Sequence, residues 1–155
     1  MAMELQVFSD HRLNSTAEWQ HAIDAQNFAL RLAGDVHFAS TSGFLPAMLE
    51  GNQTGFECFH DDAWEAMRFL GVGNFDHLWK YALGFRWRGD FSELEAAWMA
   101  ATAYAAITKG IIFDHEEGRV FTPQQGRELV AKFVSERPQV KAFLEEVKRK
   151  FSIKP

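Results

Sequence analysis

Four of the six histidines in this chain stand beside an aspartate: Asp10-His11, His60-Asp61-Asp62, Asp76-His77 and Asp114-His115. Imidazole changes charge near neutral pH and a carboxylate can take or return a proton, so such pairs suit general acid–base chemistry. They also suit a Zn²⁺ or Mn²⁺ site in which carboxylates bridge or activate water. His60, Asp61, Asp62, Asp114 and His115 are therefore the candidates for a catalytic centre. Each aspartate also has a local structural role, Asp61 and Asp62 at a helix start, Asp76 and Asp114 at turns. No spacing locks the pairs into a ligand set, because H-E-x-x-H, C-x-x-C and the acidic calcium loop are all missing. The structural roles outweigh the chemistry, and neither a metal nor a cofactor is expected.

A second candidate is cationic. Lys80, Arg86 and Arg88 occupy even positions of the stretch 79–88, with Trp87 among them. Such a row can hold an anionic ligand or a short single strand through charge and stacking. The competing reading pairs Arg86 and Arg88 with acidic groups such as Asp90 or Glu93 at the sheet margin. Gly71-Val-Gly73-Asn-Phe-Asp76 lacks the third glycine of a dinucleotide fingerprint and follows a helix, so it cannot cradle a pyrophosphate. There is no nucleophile elbow and no Walker loop.

Charge and composition narrow the classes further. The net charge is −5. Residues 1–123 carry 8 Lys+Arg against 17 Asp+Glu, and residues 124–155 carry 8 against 4. An acidic chain is a poor match for a phosphate backbone, so nucleic acid is not an expected partner. The acidic body favours a basic protein partner. The basic tail with Lys148-Arg149-Lys150 reads as a solvated helix end, or as a contact with the acidic body of a second copy in a homodimer. The length of 155 residues fits one domain spanning 1–155, and 47% apolar with 24% charged residues is a soluble globular composition. One cysteine, Cys58, allows no intrachain disulfide and fits a reducing compartment as a buried strand residue. No membrane span or secretion signal is apparent, so the cytoplasm is the expected location.

The elements that must position these groups follow from periodicity. Trp79, Tyr81, Leu83, Phe85 and Trp87 alternate with Lys80, Ala82, Gly84, Arg86 and Arg88, which predicts a strand with its large rings in a core. Glu4–Phe8 and the alternation Phe28, Leu30, Leu32 read as short strands. Phe44–Glu50 and Phe56–His60 read as a hairpin closed by the five residues 51–55. Ser15 with Glu18, Asp62 with Glu65 and Ser92 with Glu95 are capping boxes, and Thr122-Pro123 with Gln125 opens another helix. The second of these helices is expected to turn Ala63, Trp64, Met67 and Leu70 inward.

The third carries seven alanines between positions 96 and 106 and stops at Gly110. Its small side chains predict close packing on the Ala82/Gly84 side of strand 79–88, and a parallel crossover into Ile111–Phe113. Pro138 is expected to break the C-terminal helical segment in two. The sum is α+β: a mixed β-sheet of five to seven strands with four or five helices packed largely on one face. The polar loop 33–43 with Phe38, the 51–55 tip and the 71–77 loop with Phe75 are where function usually sits on such a scaffold.

Phe85-Arg-Trp-Arg-Gly-Asp90, the alanine-rich helix, Thr108-Lys-Gly-Ile-Ile-Phe-Asp114, Glu117-Gly118 and Thr122-Pro123 together resemble a family of small bacterial cytosolic α/β proteins of uncharacterised function. Similar arrangements occur in some immunity proteins of bacterial toxin systems. The resemblance covers about a third of the chain, with Lys109 where the related pattern has glycine. It implies a bacterial cytosolic protein and transfers no catalytic residue. The expectation is a non-enzymatic binding protein, immunity- or adaptor-like. The alternative is a small metal-dependent or acid–base enzyme built on the Asp/His pairs.

Overall fold

The computed structural model describes residues 3–33 and 42–152, so most of the 33–43 loop, with Phe38, lies outside the described residues. Among the described residues, the sheet has seven strands: β1 (Met3–Ser9), β2 (Leu30–Leu32), β3 (Gly43–Leu49), β4 (Asn52–Asp61), β5 (Tyr81–Trp87), β6 (Ile111–Asp114) and β7 (Arg119–Phe121). Their order is β2-β3-β4-β5-β1-β6-β7. With four α-helices, α1 (Thr16–Ala25), α2 (Ala63–Leu70), α3 (Phe91–Thr108) and α4 (Pro123–Ser152), the architecture is α+β as expected. Every ladder is antiparallel. β5 and β6 run in the same direction, but β1 lies between them, so the crossover through α3 makes no parallel ladder.

Helices α1, α3 and α4 share one face of the sheet. There Leu5 and Val7 of β1, Leu83, Phe85 and Trp87 of β5 and Ile112 of β6 meet the alanines of α3. Trp19 of α1 is a hub: its rings pack edge-on against Phe56, Phe85 and Tyr104, and its indole N–H donates to the Ala100 carbonyl at 2.9 Å. Helix α3 is buried on all sides from Glu95 to Ala105, between the sheet and two helices, which is why its apolar residues show no narrow stripe. The helix therefore covers the large-ring side of β5, contrary to the expected packing on Ala82 and Gly84. Alanines make room for bulky partners, and the rings supply the bulk.

Among the described residues, the opposite face carries only α2 and the short 3-10 turn Val72–Asn74. Phe8, Ala63, Met67, Ala82 and Phe113 form its smaller core, with Phe75 and Trp79 packed on it. Trp79 thus precedes β5 and joins this second core, and Tyr81 is exposed at the strand's start under Arg12. Trp64 is also exposed, so the inward stripe of α2 is Ala63 and Met67 with Ala66 and Leu70 beside them.

Other local expectations were changed by backbone detail. Leu49 pairs with Asn52, so the β3–β4 hairpin closes in two residues. Glu50 and Gly51 both take positive φ (50° and 83°), the signature of a type I′ turn. Asn52, Gln53 and Thr54 consequently extend β4. Helix α3 is capped by Asp90, whose side chain accepts from the Ser92 backbone N–H at 2.9 Å, which frees Glu95 from a capping role. The cap bonds expected at Ser15, Asp62 and Thr122 form, and at Thr122 the Gln125 side chain completes the box; Glu18 accepts from the Asn14 N–H and Glu65 from Arg68 instead. Helix α4 runs unbroken through Pro138. The carbonyl that Pro138 leaves unpaired belongs to Val134, which is exposed, so water can satisfy it.

Candidate partner-binding cleft

Period-two alternation places Glu4 and Gln6 of β1 on the sheet face away from Leu5 and Val7, and Asp61 at the end of β4 on that same face. Strand β5 lies between β1 and β4, but its residues there are Ala82 and Gly84. Their small size lets side chains reach across. The Gln6 amide nitrogen donates to Asp61 Oδ2 at 2.6 Å, and the Gln6 amide oxygen accepts from His115 Nε2 at 2.9 Å. Gln6 is 4% exposed, so both of its polar ends are satisfied inside the protein. Its carbonyl can only accept, which fixes the proton of His115 on Nε2.

These groups floor a cleft of about 410 Å³ between the sheet and α2, walled by Glu4, Asp62 and Glu65, with Phe69 at its rim. Burial pushes the Asp61 carboxyl above the ordinary carboxylate range. The Gln6 hydrogen bond draws it down, the neighbouring Glu4 raises it, and Arg86 and His115 lower it. Arg86 reaches Glu4 at 3.5 Å and stacks 4.9 Å above the Phe59 ring. Asp62 caps α2 through the Glu65 backbone N–H at 2.9 Å, and Glu65 holds Arg68 at 3.1 Å, both in solvent. Phe69 is 87% exposed.

The Asp/His candidates divide accordingly. Asp61, Asp62 and His115 meet in this cleft. By the alternation of β4, His60 lies on the other face, with Phe56 and Cys58. Asp114 is buried as a turn residue: its carboxylate accepts from the Glu116 backbone N–H at 3.0 Å, and burial raises its pKa. Asp10 and His77 pair at 2.6 Å at the far end of β1, where Asp10 also accepts from the Lys80 backbone at 3.1 Å. Among the described residues, no three His, Cys, Asp or Glu side chains gather closely enough to hold a metal ion.

The cationic row also divides. Arg86, Trp87 and Arg88 line a small hollow of about 210 Å³ with Glu57 and Glu93. Lys80 is at the other end of β5. The Arg88 backbone N–H donates to Glu93 at 3.1 Å, so that margin carries both signs of charge.

Glu4, Gln6, Glu65 and Phe69 were not singled out in the sequence as site residues. The signal for the first two was present, as a lone pair of polar residues on alternate positions of an otherwise apolar strand. For Phe69 nothing in the local pattern separates an exposed ring from a buried one. Comparison of the chain with protein-family models, with curated proteins and with solved structures returns no match. No helix among the described residues is long and apolar enough to cross a membrane.

Proposed function

We propose that this chain is a non-enzymatic binding protein that takes a basic segment of a protein partner into the cleft between α2 and the sheet, in the manner of an immunity protein or adaptor. The observation that carries this reading is Phe69, a phenyl ring 87% exposed beside Asp61, Asp62 and Glu65. A large ring held in water gains by being covered, and carboxylates around it select a cationic neighbour. The second reading, acid–base catalysis, draws on the Asp61–Gln6–His115 chain. It is the weaker one, because Gln6, a side chain that does not titrate, stands between the Asp61 carboxylate and His115 Nε2 and bonds to both.

The test uses two peptides of equal length, one carrying arginines around a single aromatic residue and one carrying glutamates instead. Backbone amide NMR shifts report where each binds. The arginine peptide is expected to shift Asp61, Glu65 and Phe69 saturably, and the glutamate peptide is not. Phe69→Ser, and Asp62→Asn with Glu65→Gln, should each weaken binding about tenfold, asparagine preserving the helix cap. Shifts that avoid the cleft, or no saturable shift, would sink the reading.

A further inference from the structure

The N-terminal half of α4 packs Leu129, Val130 and Phe133 on the main core. Beyond Pro138 the helix continues with a second apolar stripe, Val140, Phe143, Leu144 and Val147, at the spacing of one helical face. Its centre is uncovered, with Phe143 64% and Leu144 49% exposed and Val140 and Val147 half-buried on either side. Val140 and Leu144 form one wall of a groove of about 620 Å³, whose far wall includes Leu49 and Phe91. A helix segment of this length gains little on its own in water, so a bare aromatic stripe on it calls for a partner surface.

The charges beside the stripe indicate which partner. Positions 136, 143 and 150 are seven residues apart and form one column along the helix. That column reads Glu136, Phe143, Lys150: acid, ring, base. It is complementary to itself in the antiparallel sense alone, because a parallel copy would set glutamate on glutamate and lysine on lysine.

We propose that this stripe is the interface of a homodimer, in which α4 of two copies cross antiparallel about a two-fold axis at Phe143. Phe143 then meets the partner's Phe143 and Leu144. Val140 lies near the partner's Val147. Glu136 faces the partner's Lys150, and the symmetry makes that pair twice. The contact is isologous and closes at two copies. It leaves the cleft beside α2, on the other face of the sheet, open for a different partner.

The experiment is sedimentation equilibrium of the whole chain across roughly 1–200 µM. The wild type is expected to move from monomer to dimer. Glu136→Lys alone and Lys150→Glu alone should each weaken the dimer about tenfold, by replacing two attractions with two repulsions. An equimolar mixture of the two variants should recover association, because each supplies the charge that the other now lacks. Phe143→Ser should be monomeric with an unchanged circular dichroism spectrum, since that ring is exposed. A wild type that stays monomeric throughout would overturn the proposal. So would a dimer indifferent to both charge reversals, or a mixture that stays dissociated.

Discussion

The ring of Phe59 stands over Gly84, so close that a β-carbon at position 84 would come within 2.3 Å of it. The small residue seats an aromatic from the neighbouring strand, and Arg86 then stacks on the outer side of that ring. Gly84→Ala should therefore cost about 1–3 kcal/mol by displacing Phe59. Adding Phe59→Ala should return part of that loss. Chemical denaturation of the single and double variants measures the coupling, and additive losses would show that the two residues act separately.

The end of α3 invites a paired substitution. Lys109 takes the left-handed conformation (φ 58°), and Gly110, whose N–H bonds to the Ala105 carbonyl at 2.8 Å, does not need it. Gly110 is small for another reason: a β-carbon there would lie 2.2 Å from the Phe8 carbonyl oxygen of β1. Lys109→Gly should stabilise the fold by about 1 kcal/mol. Gly110→Ala should destabilise it by about 3 kcal/mol, because backbone cannot move aside as a side chain can. Thermal midpoints of the two variants should shift in opposite directions.

Glu95 is 1% exposed and accepts a fork of hydrogen bonds from Arg137, which also pairs with Glu50. Burial pushes its carboxyl up to about 7. A folded-state pKa above the unfolded one contributes stability below the unfolded value, and that stability is lost as pH rises through the folded value. Arg137→Gln removes the cation that hydrogen-bonds the Glu95 carboxylate. The variant should lose about 3–5 kcal/mol above pH 8 and markedly less near pH 5, where Glu95 is neutral. Denaturation at the two pH values checks this, and equal losses at both would refute it.

Cys58 is buried in β4, and burial drives its thiol far above the ordinary range. The native protein should therefore react slowly with thiol-directed reagents, at a rate that tracks unfolding and rises steeply with added urea. Labelling as fast as that of a free thiol would show that the strand opens locally.

Much of the frame was legible in the sequence because it depends on local chemistry. Ser15, Asp62 and Thr122 cap their helices as their spacing predicts, and the alternation around Leu83, Phe85 and Trp87 is a strand in the main core. What was illegible depends on which face meets which. The alanines of α3 are compatible with either side of β5, and nothing local says that the large rings, not Ala82 and Gly84, receive them. The cleft was hidden for the same reason: Gln6 and Asp61 are 55 residues apart, and the bond between them exists because β5 is narrow where they cross it. Pro138 misled because its penalty depends on whether the freed carbonyl is wet.

The insertion of β1 between β5 and β6 bears on how the chain is made. Met3 pairs with Trp87 and Leu5 with Asp114, so β1 leaves the ribosome well before either of its neighbours is synthesised. At synthesis rates of roughly 5–20 residues per second, β1 stays without either neighbour for several seconds while β2, β3 and β4 can already associate. Its apolar run Leu5-Gln-Val-Phe8 stays uncovered by those strands during that interval, and closing the sheet around it is the step that its long sequence separations make slow.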